Sequence, residues 1–180
     1  GTLKVSNIET SSGSGTITLG ASGETVDLST ATMTLNNTMK ATPAFEAYRS
    51  SNQTISTGTS TKIQYQDEVF DTDSAYDNST NYRFTPQTAG KYFIFASVQS
   101  TSSSDFDDYQ IQIHKNGSTN AQTRVRHHYA ENIEVSVIVD MNGSTDYVEG
   151  FVYQASGGNL DISGTGFPRT RFGGFRIIGA

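Results

Sequence analysis

Between Lys91 and Val98 apolar residues occupy both parities of the chain: Tyr92, Ile94, Ala96 and Val98 on one, Phe93 and Phe95 on the other. The stretch from Tyr147 to Tyr153 does the same, setting Tyr147, Phe151 and Tyr153 against Val148 and Val152. Successive side chains of a strand point to opposite faces. A sheet with one wet face therefore carries apolar residues on one parity only. Two doubly apolar strands predict a sheet buried on one side by a sandwich core and on the other by a second copy of the chain. The remaining pattern is simpler. Tyr109, Ile111 and Ile113 alternate, as do Ile133, Val135, Val137 and Val139, and Ile63 and Tyr65 share a parity. Lys115-Asn116-Gly117-Ser118 is a hairpin turn signal. Met141-Asn142-Gly143 and Gly157-Gly158-Asn159 break the chain again, Leu160 and Ile162 make a short strand, and Phe172 to Ile178 closes it. Large aromatics punctuate Tyr65 to Phe95, at Tyr65, Phe70, Tyr76, Phe84, Tyr92 and Phe95. The expectation is all-β: about ten strands in a two-sheet jelly-roll sandwich, without helices.

Residues 1–42 follow a different rule. They hold no aromatic residue, and a short unit recurs: Leu3-Lys4-Val5, Ile17-Thr18-Leu19, Val26-Asp27-Leu28 and Met33-Thr34-Leu35. Alone, such strands bury too little to offset a backbone entropy of roughly 1–2 kcal/mol per residue. Stacked against equivalent strands of neighbouring chains they become stable. Two readings are open, a flexible Ser/Gly/Thr linker and an extended trimeric β-stalk sharing one core among three chains. Pro43 marks the change to a compact head over 43–180. The first residue is Gly1, from which a longer polypeptide upstream is expected.

Composition narrows the function. Aromatics make up 11% of the 180 residues, with nine Tyr, ten Phe and no Trp, which suits strands. A net charge of −6 makes nucleic acid a poor partner, because phosphate contacts need a basic face. Cysteine is absent, which excludes disulfides and thiolate metal sites. No apolar run reaches the roughly 20 residues of a membrane-spanning helix.

The head resembles the globular domain shared by complement C1q and tumour necrosis factor. Tyr65, Asp71, Tyr76, Phe84 and Gly90-Lys91-Tyr92-Phe93-Ile94 follow that family's aromatic signature. His114-Lys115-Asn116-Gly117 is similar to its recurring K-N-G turn, and Phe172-Gly173-Gly174-Phe175-Arg176-Ile177 to its closing F-x-G-F strand. Tyr65 stands where the family usually has Phe, Ile94 where it has an aromatic, and the interval from Tyr76 to Phe84 is one residue longer than the family's. The resemblance implies a ten-stranded jelly roll that assembles as a trimer and binds rather than catalyses. The collagen stem of animal C1q heads is missing. The aromatic-free stalk is similar instead to the shafts of bacteriophage fibres. The expectation is a homotrimeric phage virion fibre or appendage protein, of tail or capsid, whose head trimerises the shaft and attaches to a host receptor. A purely architectural fibre protein and a secreted C1q-like lectin or ligand are the alternatives. Its expected partners are itself, other virion proteins through an upstream region, and a host-surface glycan or protein.

Candidate residues follow. Tyr65, Tyr76, Phe84, Tyr92, Phe93, Phe95, Tyr147, Phe151, Tyr153, Phe172 and Phe175 are expected to build the core and the trimer contact. Loops Thr101–Asp108, Arg126–Glu131 and Gly164–Arg171 are expected to face a receptor, since recognition sits on loops over a rigid scaffold. They hold Asp105, Asp107, Asp108, Arg126, His127, His128, Arg169 and Arg171. Asp71, Asp73 and Asp77 have two readings, solvated carboxylates capping turns and a Ca²⁺ site. No other cofactor is expected. With no G-x-S-x-G, H-E-x-x-H or P-loop in the chain, enzymatic activity is not expected.

Overall fold

The computed structural model describes residues 42–101, 105–126, 128–129 and 132–178. The stalk expected over 1–42 lies, but for Thr42, outside the described residues, as does His127. The described chain is all-β. Its strands are β1 (Ala44–Tyr48), β2 (Gln53–Ile55), β3 (Thr61–Lys62), β4 (Asp67–Asp71), β5 (Tyr76–Asp77), β6 (Arg83–Phe84), β7 (Gly90–Gln99) and β8 (Asp105–Phe106). They continue with β9 (Asp108–Lys115), β10 (Ser118–Val125), β11 (His128–Tyr129), β12 (Asn132–Met141), β13 (Val148–Ala155), β14 (Leu160–Ile162) and β15 (Arg171–Arg176).

Two antiparallel sheets make the sandwich. One runs β12-β7-β15-β1-β4, the other β10-β9-β13-β6-β5 with β3 attached to β13. Each path holds five strands, which matches the expected count of about ten, although the strand expected at Leu160 and Ile162 pairs with β2 outside both paths. Of the shorter strands, β14 is the one expected from Leu160 and Ile162, whereas β8 was not anticipated, because two residues carry no period. β10 is the return arm of the β9–β10 hairpin. Its turn is the one anticipated: Asn116 and Gly117 have φ of 51° and 80°, the left-handed pair that a two-residue hairpin loop requires.

The core is aromatic. Phe45 stacks on Phe84 at 4.2 Å and on Tyr76 at 5.2 Å, Tyr65 stacks on Phe172 at 5.4 Å, and Phe84 meets Tyr92 edge-on at 5.8 Å. Tyr65, Tyr76, Phe84, Tyr92 and Phe172 are buried. Each such side chain contributes about 1.5–3 kcal/mol by leaving water. The tyrosines keep their hydroxyls satisfied: Tyr76 donates to Tyr65 O at 2.9 Å and Tyr92 to Thr88 O at 2.7 Å. Burial raises the Tyr92 phenol to about 12.

The register gives the sandwich two ends. At one, β1 begins beside Thr72 and Arg176: Ala44 N donates to Thr72 Oγ1 at 3.0 Å and Arg176 N to Pro43 O at 2.9 Å. At the other, β1 finishes at Tyr48 opposite Arg171, and β12 starts at Asn132 opposite Gln99.

Candidate functional site

On β7, Tyr92, Ile94, Ala96 and Val98 face the core and are buried. Phe93 and Phe95 therefore lie on the outward face of their sheet. Register then decides their neighbours. Ile138 of β12, Phe93 of β7, Phe175 of β15 and Ala44 of β1 stand side by side in one row. The next row reads Ser136, Phe95, Gly173, Glu46 and Phe70. The Phe93 and Phe175 rings lie 5.5 Å apart. Gly173 keeps the second row flat, for a Cβ there would sit 2.6 Å from Phe95 Cζ. Ile138 is 58% exposed, Phe175 48% and Phe70 45%. A contiguous apolar patch rimmed by charge marks an interaction surface. The rim here is Lys91–Asp140 at 2.6 Å and the Arg171–Glu46 pair. Phe93 and Phe95 were legible by parity, and Phe175 was among the aromatics expected to build the core and the trimer contact. Ile138 was not singled out, although it is the one apolar residue that breaks the alternation from Ile133 to Val139.

The opposite face of the molecule handles the same surplus differently. On β13 the non-core aromatics Phe151 and Tyr153 are half-buried, as is Tyr147 just before the strand. Their cover comes from the chain itself. His114 of β9 stacks on Phe151 with centroids 4.1 Å apart, and the Lys62 ammonium lies 5.8 Å from the same ring. The Arg83 guanidinium lies over Tyr147 at 4.4 Å. This strand was expected to meet a partner subunit; within the described chain, cations and a histidine from neighbouring strands lie against Phe151 and Tyr147.

Along β9 the outward residues form a polar ladder. Arg124 donates through Nε to Asp108 Oδ1 at 2.7 Å, and Gln110 Nε2 donates to the same oxygen at 3.1 Å. Gln112 Nε2 donates to Gln110 Oε1 at 2.9 Å, and His114 Nε2 lies 2.8 Å from Gln112 Oε1. An ionised Asp108 can only accept, so each amide points its nitrogen toward it and His114 Nε2 must carry a proton. Burial raises the Asp108 carboxyl, but the hydrogen bonds from Arg124 and Gln110 outweigh it and hold the group below its ordinary value. Asp108 is thus buried and paired, not the exposed receptor-facing acid expected of it.

The three loops expected to face a receptor meet at the end away from Thr42. Pairing of β8 with β11 joins the first two. Thr101 N donates to Asp161 O at 2.9 Å and Ser163 N to Gln99 O at 2.7 Å, tying in β14 and the third. The third loop is pinned: Ser97 Oγ donates to Arg169 O at 2.7 Å and Arg171 Nε to Pro168 O at 2.7 Å. It presents Phe167, 76% exposed, beside an exposed Arg169, while Asp107 and Arg126 are also exposed. Arg171 is engaged with Glu46. Asp105 and His128 sit on β8 and β11. Beneath the loops is a residue that sequence reasoning missed. Arg49 is buried and donates through Nε to Ser51 O at 2.9 Å and through Nη1 to Gln64 O. Nothing in the local pattern announces it, because its partners are main-chain carbonyls.

The acidic turn is spoken for. Asp71 accepts from the N–H groups of Asp73 (3.2 Å) and Tyr76 (2.7 Å). Asp77 Oδ1 accepts from Thr80 N at 2.8 Å and from Ser79 N and Oγ at 3.1 and 3.3 Å. Its Oδ2 accepts from Asn81 N at 3.1 Å and Nδ2 at 2.7 Å. The Thr80 amide foremost, with those of Ser79 and Asn81, drives its carboxyl far below the ordinary carboxylate range. These contacts are those of turn-capping carboxylates. Among the described residues no group of three or more acidic or histidine side chains is placed to hold a metal ion.

No protein-family model and no curated protein matches the sequence. Solved structures do. Murine APRIL at pH 5.0 superposes with a TM-score of 0.58 at 10% identity, covering 76% of this chain and 100% of its own. Eiger TNF from S. frugiperda gives 0.53 at 10% identity over 77% and 94%. PRD1 vertex protein P5 gives 0.53 at 13% identity over 75% and 96%. The head has the TNF/C1q-type jelly-roll fold.

Proposed function

We propose that this chain is the head of a homotrimeric phage fibre or virion appendage, in which three heads pack through the five-stranded sheet and present their loop ends to the host surface. The observation that carries the reading is the row Ile138, Phe93 and Phe175 on a face that the sandwich does not use for its own core. Two further features support it. The chain enters the head at one end and the pinned loops project from the other, so a head capping a shaft would point them outward. The same fold also occurs in a phage vertex protein. Three copies of one loop end turn weak contacts into useful avidity. The reading calls for binding, not catalysis.

The full chain should sediment near three times its 19.4 kDa at micromolar concentration. A 19.4 kDa species would sink the trimer. The purified protein should also block adsorption of the phage that carries it, and Phe167→Ser with Arg169→Glu should abolish the block without altering its mass. A folded trimer that never competes would leave an architectural fibre head without receptor binding.

A further inference from the structure

On the outward side of β5 and β6 lies a cavity of about 390 Å³, among whose lining residues are Ser74, Asp77, Asn81, Arg83, Thr85 and Gln87. It belongs neither to the apolar face nor to the loop end. Its volume is in the range of small-ligand sites, roughly 300–1,000 Å³, and its lining is about half polar, with Ala75 and Tyr76 supplying apolar surface beside the polar side chains. Two non-glycine residues around it adopt left-handed backbone, Ser74 with φ of 52° and Tyr82 with 50°. Such conformations are costly and persist only where the surroundings enforce them. Here the turn held by Asp71 encloses Ser74, and the turn held by Asp77 leads into Tyr82.

Arg83 is the informative residue. Two carboxylates stand opposite it in register, Asp77 on β5 and Glu149 on β13. Both are already engaged. Asp77 receives the five donors described above, and Glu149 is paired with Lys62. Among the described residues no acid lies within 4.0 Å of the Arg83 guanidinium, which lies over the Tyr147 ring at 4.4 Å from its centroid. A guanidinium placed over a ring is pre-organised, and its planar fork matches a carboxylate. The neighbouring chemistry complements it. The Asn81 amide nitrogen is committed to Asp77, and that of Gln87 to Thr85 O at 3.0 Å, so both side chains have an amide oxygen with which to accept. Ser74 and Thr85 supply hydroxyls.

We propose that this cavity is a binding site for an acidic sugar of the uronic or sialic type, its carboxylate on Arg83 and its ring hydroxyls donating to Asn81 and Gln87. A bare anion would use the guanidinium and leave the amide oxygens without donors. A neutral hexose would use the amides and leave the cation unpaired. The site lies on the sheet opposite the apolar face, so assembly through that face leaves it open.

The test is calorimetric titration of the full-length protein with sodium glucuronate, glucose, sodium acetate and inorganic phosphate. Saturable glucuronate binding near about 1 mM is expected, at least tenfold tighter than the other three. Arg83→Gln should weaken it at least tenfold. Gln87→Glu alters an exposed side chain and sets a negative charge against the ligand, so it should weaken binding similarly while thermal unfolding stays unchanged. Absence of saturable binding overturns the site. Glucuronate binding indifferent to both substitutions places it elsewhere and also overturns the site. Acetate or phosphate binding as tightly as glucuronate reduces the cavity to an anion site and overturns the sugar.

Discussion

The two outward faces of the sandwich carry the same burden and discharge it differently. Each has large side chains on the parity that the shared core does not use. On the five-stranded sheet, Phe93, Phe95, Phe175 and Ile138 sit in adjacent rows on the face turned away from the core, with Ile138 and Phe175 exposed among the described residues. On the six-stranded sheet, Phe151 lies between His114 and Lys62, and Tyr147 lies under Arg83. The second face is finished within one chain: its cations lie on rings, and its glutamines satisfy one another along β9. The first is unfinished. A doubly apolar strand therefore signals a partner subunit only when polar side chains of neighbouring strands do not reach its outer aromatics.

Charge placed on each face should break this contrast most sharply. Phe93→Glu puts a carboxylate in the middle of the apolar row, where association would have to desolvate it. Three-chain assembly should weaken by at least about 10³-fold, or about 4 kcal/mol, the scale of an interface hot spot. Sedimentation should then show single chains with an unchanged β-sheet circular dichroism spectrum. Gln122→Glu, on the exposed surface of β10, should leave the mass as it is. Equal dissociation by both substitutions would mean that the apolar face is not the contact.

Truncation should divide the faces in a second way. Phe151→Ala removes a half-buried ring from between His114 and Lys62, so the head itself should lose about 2 kcal/mol, less than the 3–5 kcal/mol of a fully buried Phe. Urea unfolding reads this, and sedimentation should still report the assembled mass. If Phe151→Ala instead dissociated the chains at full head stability, β13 would be a subunit contact after all.

Much of this was legible from one sequence because it is periodic. Parity assigned Tyr92 and Ile94 to one face and Phe93 and Phe95 to the other, and ordered aromatics marked Tyr65, Tyr76, Phe84 and Phe172. What escaped was carried by partners distant in the chain. The cover on Phe151 comes from Lys62, 89 positions earlier, and from His114 across the β9–β13 ladder. Asp108 looked like one of several exposed acids until Arg124 closed on it from β10. The buried Arg49 is held by carbonyls, which every residue possesses. Arg83 is notable for the pairs its neighbours make without it. Ile138 was visible as a parity violation and could have been read.

The smallest expected effect is a pH dependence confined to the polar face. His114 is buried beneath Phe151, with Gln112 and Thr119 at its Nε2, Glu149 opposite on β13 and Lys62 on β3. Burial lowers its pKa most; the Glu149 charge pulls it up and the Lys62 charge adds to the lowering, and the net shift is downward. The unfolded chain then binds a proton near pH 6.5, where the folded head still refuses it. Folded stability is complete above about pH 6.5 and declines as pH falls through the window down to the depressed value. His114→Gln removes the titrating group while keeping a side chain able to donate to Gln112, so its unfolding midpoint in urea should be flat over that interval where the parent's falls. Asp108 does not blur the comparison, because its carboxyl is held below its ordinary value and its own loss begins only under about pH 4. The assembled mass should stay constant through the same interval, since no described titrating group with a lowered pKa in that range sits on the row of Ile138, Phe93 and Phe175. Dissociation that tracked the His114 titration would couple the two faces and end the distinction drawn between them.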